Sequence, residues 1–382
     1  MGAYDPPVPT PETFARRLDA RVAEALDRRL VDRISTGRST WLARAAAFLL
    51  VTPVHLVSIA LAAGGVALAV LGGGWWQWSM AAFLLGVAWM TRPRVWGSVE
   101  RDTILVDPAE APLLTALVAD VADLLGTRAP DEIRLDSSFN AYVAARRFRG
   151  RQLVLGAPLW AACEPQSRIA LLGHEVGHLA HGDLLSLRYV GSAYSTLSHW
   201  VALLDPMGSE VFLHSTPVLV RAILAPPRWL VLGYLRLVDA VNSAASRRQE
   251  LYADLASALA AGTDGAVDSL EVGLIHDGVD AAANRAAVDP TRPALGESIA
   301  ARVAAYDAGQ REAARRRGAS DGRSIDASHP PTVDRLRLIE SVERSTAAVV
   351  LDPDRSRLID KELAPHLEQA FKRLGDRYRF VR

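Results

Sequence analysis

Three of the nine histidines in this chain fall within one stretch, Gly173–Asp183, "GHEVGHLAHGD". His174 and His178 are four positions apart, so on a helix both imidazoles share one face and can reach one metal ion. Glu175 is offset by one position, where its carboxylate can meet a water activated by that ion. That is the mechanical content of H-E-x-x-H. His181 lies seven residues past His174, about 10 Å further along a helix axis, and cannot easily share the ion with both others. It reads as a supporting or surface residue. The longer motif, in which a glycine turns the chain before a third histidine, is not present. A third ligand must come from elsewhere.

The elements that would position these groups can be read around them. A helix opens after Glu164-Pro165, with proline near its first turn as helix starts prefer, and runs through "SRIALLGHEVGHLAHG" to Gly182. A second long helix is expected from near Trp229 to Gly262. Its apolar background carries a polar stripe: Arg236, Asp239, Ser243, Arg247, Glu250 and Asp254. Unpaired buried charge is costly, so such a stripe is aimed at partners. It admits two readings. Arg247 and Glu250 could form an intrahelical salt-bridge ladder, or Glu250 could complete a His2Glu metal site with Asp254 supporting it one turn on. Upstream, "PLLTALVADVADLLG" reads as an amphipathic helix ending at Gly126. "DEIRLDSS" and "RQLVLG" read as short strands, with "FNAYVAARRFRG" between them as a sheet edge. "SHPPTVDRLRLIE" is a His-Pro-Pro turn opening a helix, and an amphipathic helix is expected over 351–382.

The beginning of the chain is different. Residues 1–44 are charged and polar, with a Pro-rich tip "YDPPVPTPE" and an amphipathic run "TFARRLDARVAEALDRRLVDRI". No apolar core of a secretory signal lies there, and a proline stands where a myristoylation pattern wants Ser or Thr. From Ala45 to Leu71 there is no Asp, Glu, Lys or Arg, enough at about 1.5 Å per residue to span a hydrocarbon core of roughly 30 Å. "GGGWWQW" and a second uncharged run, "SMAAFLLGVAWM", follow. We read 45–91 as a two-helix transmembrane hairpin with an aromatic interface cluster. Arg28, Arg29, Arg33, Arg38 and Arg44 precede it, Arg92, Arg94 and Arg101 follow it, and the connecting turn is uncharged. The positive-inside rule then places both ends in the cytoplasm, with 92–350 as a globular domain on that side.

Composition narrows the class. Forty-three basic residues balance 43 acidic ones, which gives no electrostatic footprint for nucleic acid. The single cysteine, Cys163, excludes an intrachain disulfide framework and reads as a small core residue.

"NAYV", "HEVGH" followed by "GD", "SRRQELYAD" and "SHPPTVDRL", in that order, resemble the M48 zinc metallopeptidases over roughly Asp107–Glu343, and within them the HtpX-like bacterial membrane proteases. The resemblance implies a mainly α, α+β chain: the hairpin, then a helical gluzincin-type domain with a small β-sheet. It implies one Zn²⁺ per chain held by His174, His178 and Glu250, with Glu175 as general base. It also implies Asp183 and Asp254 as supporting carboxylates, His329 near the oxyanion, and Asn140, Ala141 and Tyr142 on an edge strand that binds peptide. An unfolded or membrane-protein substrate and a bilayer are the implied partners. The rival reading is a catalytically silent zinc-binding membrane scaffold. HtpX-like members carry two further apolar segments between the two site helices. Here "TPVLVRAILAPPRWLVLGYLRLVDAV" contains Pro226-Pro227 and Arg221, Arg228 and Arg236. We read it as two helices packed on the domain or lying at the membrane surface. The CAAX-processing branch has more membrane helices than this chain can supply.

Overall fold

A computed structural model of the chain describes residues 40–93, 103–145, 150–180, 184–204, 218–289, 291–321, 331–342 and 344–380. They divide into two compact units. One lies within Val99–Asp183 and Ser246–Arg382, the other within Gly37–Ser98 and Leu184–Ala245.

The first unit carries a four-stranded mixed sheet in the order β1-β2-β4-β3. Its strands are β1 (Ile104–Val106), β2 (Glu132–Asp136), β3 (Ala141–Ala145) and β4 (Arg151–Gly156). β2 runs parallel to β4, while β1 and β3 are antiparallel to their neighbours. β4 is buried along nearly its whole length, as the uncharged run "LVLG" requires. β3 pairs with β4 alone and forms an edge of the sheet, as the polar "FNAYVAA" implied.

Helices complete the unit: α3 (Pro112–Leu124), α4 (Ala157–Ala162), α5 (Pro165–Ala180), the later part of α7 (Val218–Leu274), α8 (His276–Val288), α9 (Leu295–Ala304), α10 (Ala308–Asp321), α11 (Thr332–Ser341) and α12 (Pro353–Phe380). Leu114, Leu117, Leu135, Leu153, Trp160, Ile169, Leu172, Leu336 and Ile339 are fully buried. The start of α5 is fastened by polar groups. Arg168 donates to the carbonyls of Trp160 and Cys163 and, through Nη1, to Asp360 of α12 at 2.8 Å. Gln166 donates to the carbonyls of Ala261 and Val349 at 3.0 and 2.8 Å. Glu362 caps the free amides at the start of α3, reaching Leu113 N at 3.0 Å.

The second unit is formed by α1 (Thr40–Leu71), α2 (Trp75–Thr91), α6 (Leu184–Leu204) and the beginning of α7. Among the described residues one helix, through Ala45–Leu71, is long and apolar enough to cross a membrane. α1 and α2 pack antiparallel: Ser58 Oγ donates to Thr91 O at 2.7 Å, and Gly65 lies against Leu85. The small interior of the unit holds Ala47, Val51, Val54, Val190, Ala193, Leu197 and Val238. Polar groups join α6 to α1. Thr52 Oγ1 and Tyr189 Oη are 2.9 Å apart, and His55 Nε2 is 3.1 Å from the Tyr189 carbonyl.

One expectation is corrected. Pro226-Pro227 does not break its segment: α7 is helical from Val218 through both prolines and beyond. Two adjacent prolines forfeit the bonds to the carbonyls of Ala222 and Ile223 and crowd those carbonyls, but their fixed φ is itself helical. The interruption falls at Gly262 instead, where φ is 80° and ψ 161°. Glycine occupies that left-handed conformation without strain. The expected end of the helix at Gly262 is therefore met.

Candidate metal centre

α5 presents His174, Glu175 and His178, and the later part of α7 presents Glu250 and Asp254. The two helices meet closely because the residues between them are small. A Cβ placed on Gly173 would stand 3.0 Å from Ala260 Cβ and Ser257 Cα. One on Gly177 would stand 3.0 Å from Ala256 Cβ and 3.2 Å from Ala253 Cα. Both glycines lie one position before a histidine, so the close approach carries both imidazoles to the glutamate helix.

The result is a triangle of donor atoms. His174 Nε2 and His178 Nε2 are 3.3 Å apart. Glu250 Oε2 is 3.6 Å from the first ring and Oε1 is 3.6 Å from the second. The rings stand at 89° to one another. Nitrogen and oxygen ligands bound about 2.0–2.1 Å from a tetrahedral ion lie about 3.4 Å apart, so the triangle has the dimensions of three corners of such a site. Glu250 is only 4 % exposed. Two imidazoles and a carboxylate suit a divalent transition metal better than calcium or magnesium. The expected ligand positions come together.

Hydrogen bonding sets the orientation of His174. Its Nδ1 is 3.1 Å from Asp254 Oδ1, so Nδ1–H donates to the carboxylate and Nε2 turns its lone pair inward. Burial pushes the His174 pKa down, and the neighbouring Arg335 pushes it further, against the opposing pull of Asp254 and Glu250. The imidazole is thereby kept neutral, the form that can ligate a metal. Burial alone would push Asp254 up. Arg335, together with the His174 hydrogen bond, overcomes it and holds the carboxyl well below the usual range. Glu175 is buried beside His174, close enough to act on the same guanidinium.

Arg335, on α11, was not singled out in the sequence. It is buried among Thr332, Val333, Leu336 and Ile339, donates from Nε and Nη2 to Asp254, and lies beside His174. The signal was present. Arg335 sits at an apolar position of "TVDRLRLIE", the same anomaly that drew attention to Glu250.

Other expected positions fall differently. Ala141 and Tyr142 open the edge strand, facing Leu155 and Val154, and the Asn140 carbonyl accepts from Gly156 N at 2.8 Å. β3 packs beside α5. Cys163 lies buried before α5, where burial pushes its thiol up to about 12, and it is not among the groups that come together with His174 and His178. His181, Asp183 and His329 lie outside the described residues.

Comparison with known proteins agrees with this geometry. The family model for Peptidase family M48 matches residues 108–343, more than half of the chain. A "Protease HtpX homolog" of Thermoplasma acidophilum is 29 % identical over 191 residues, covering 49 % of this chain and 57 % of that protein. Another of the same name, from Thermoplasma volcanium, is 27 % identical over 154 residues, covering 40 % and 47 %. The matched region thus spans about half the length of each relative. Four ordered motifs, a His-His-Glu triangle and a match across the domain that holds them lead to one assignment: the chain belongs to peptidase family M48.

Proposed function

We propose that this chain is a membrane-anchored, zinc-dependent endopeptidase of the HtpX type that hydrolyses unfolded or damaged proteins near a bilayer. The observation that carries the reading is the His174–His178–Glu250 triangle, with a buried glutamate beside its first member. Zinc held there would supply Lewis acidity and lower the pKa of a coordinated water to about 7.

The residues of the chain do the rest. His174 and His178 bind through Nε2, and Glu250 through its carboxylate. Asp254 holds the His174 ring in place. The Glu175 carboxylate accepts the proton of the attacking water and returns it to the nitrogen of the leaving amine. Its own position contributes no ligand. The edge strand β3, with Asn140, Ala141 and Tyr142 at its start, is the strand to which an extended peptide would add. Binding through backbone hydrogen bonds tolerates many sequences, which suits a protease for unfolded chains. His329 is assigned to the oxyanion by family resemblance, and Asp183 to supporting the site.

The test uses the full chain in detergent or liposomes. It should bind about one zinc ion and cleave an unfolded protein such as casein, and a chelator should stop cleavage. Glu175→Gln should retain the metal and lose about 10²- to 10⁴-fold in rate, the range for a removed general base. Cleavage surviving in that variant would end the protease assignment. A silent scaffold would bind zinc without cleaving at all.

A further inference from the structure

Among the described residues Arg335 brings a guanidinium to the centre, and its contacts ask for an explanation. Nε donates to both oxygens of Asp254, at 3.1 and 3.0 Å, and Nη2 approaches Oδ1 at 2.6 Å. Asp254 is 1 % exposed and the Arg335 side chain 5 %. Nη2 also stands 3.2 Å from His174 Nδ1 and 3.3 Å from Nε2. Being equally near both nitrogens, it is not aimed at either lone pair. It rests against the ring while gripping the carboxylate that the ring donates to.

We propose that Arg335 is a positioning residue of the metal centre. By clamping Asp254 through a two-point hydrogen bond, it fixes the carboxylate against His174 Nδ1 and so holds Nε2 toward the ion. The proposal rests on the reading of His174, His178 and Glu250 as ligands.

Two arguments support it. Asp254 sits in a nearly dry site, where a carboxylate without a cation is costly and would swing or take up a proton. An arginine fork holds the plane of a carboxylate, whereas a point charge holds only its distance. Charge supplies the second argument. Glu175, Glu250 and Asp254, ionised, with Arg335 leave two negative charges, which a divalent cation cancels. Arg335 therefore sits where simple electrostatics would have it repel the ion. Its place there is explained by Asp254, whose charge it balances and whose plane it fixes.

That conflict gives the experiment its sign. If Arg335 acts only through its charge, Arg335→Gln makes the site more negative and zinc binds more tightly. If it positions His174, the same change weakens binding about 10- to 100-fold, the range for groups that orient a ligand. Affinity would be measured by competition with a chromophoric chelator. Cobalt(II) would then be loaded to saturation, and its visible absorption should shift in Arg335→Gln because the His174 ring is no longer held. Arg335→Lys should recover little, having the charge without the fork.

Loss of the arginine alone strands a buried carboxylate and can prevent folding. The pair variant Arg335→Gln/Asp254→Asn removes both charges together. It should be no weaker in zinc than Asp254→Asn alone, because the arginine acts through the aspartate. Unchanged or tighter zinc binding in Arg335→Gln overturns the proposal. So does a pair whose losses multiply. Failure of the underlying site reading looks different: wild type would bind no zinc, or His178→Ala would bind it as well as wild type.

Discussion

Glu250 and Arg335 illustrate what a single residue discloses. Each is an ionisable group on an otherwise apolar stretch of helix, and each is almost fully buried in the folded chain. Such positions are costly unless filled by a partner, so the anomaly is visible in the sequence even where the partner is not. For Glu250 the need of two histidines for a third ligand offered a partner beside the salt-bridge reading, and the family resemblance chose between them. Nothing in the sequence showed which carboxylate α11 would meet, because Arg335 and Asp254 lie 81 positions apart. At this scale the expectation concerns ligands. Glu250→Ala should lose zinc almost as completely as His178→Ala, measured as metal per chain after dialysis. His181→Ala should keep it. A site emptied by His181→Ala and filled in Glu250→Ala would refute the ligand set.

Elements were read with uneven success. Strands β2 and β4, the edge strand β3 and the helix that opens at Pro165 follow from periodicity, proline and glycine signals. β1 was missed, since three residues are too few to display a period. The meeting of α5 with α7 was also hidden, although its device is written in the motif. Gly173 and Gly177 are four apart on the face turned to Ala253, Ala256, Ser257 and Ala260. Replacing Gly177 by Ala would ordinarily favour a helix by about 1 kcal/mol. Here the new methyl would meet a Cβ at 3.0 Å and a main-chain Cα at 3.2 Å, neither of which can rotate away. Overpacking of that kind costs about 1–3 kcal/mol, so the net effect should be destabilising. Gly177→Ala should lower the melting temperature and weaken zinc together, because the helices separate where the ligands meet. Gly191→Ala, where a Cβ would find open space, is the control and should melt no lower than wild type. A Gly177→Ala protein with native zinc affinity would show that the close contact does not set the site.

At the scale of the whole molecule the open matter is the second unit. Many of its apolar side chains are exposed: Val70 is 75 % exposed, Trp75 83 % and Leu230 73 %, while the fully buried interior is limited to a few alanines and valines with Leu197. A unit built that way in water would present a broad apolar surface, and a bilayer is the medium that covers one. The sequence revealed α1 through its uncharged run but gave no sign that α6 would join it. Ser192, Thr196 and His199 interrupt the apolar signal of α6, and its contacts to α1 include hydrogen bonds to Thr52 and His55, which hydropathy scores as unfavourable. We therefore expect the chain to resist extraction from membranes with alkali. The arginine-rich flanks and the uncharged Gly72–Gly74 turn predict the direction of insertion. A reporter fused after Arg382 and another placed before Asp5 should both report the cytoplasm, and one inserted at Gly72–Gly74 should report the opposite side. If the reporter in the turn also faces the cytoplasm, 45–91 does not cross as a pair, and the transmembrane reading of α2 falls with it. If instead the fusion after Arg382 reports the outside while the turn remains external, α1 alone inserts. The metal centre would then lie on the side away from the cytoplasm, and the substrate reading would have to move with it.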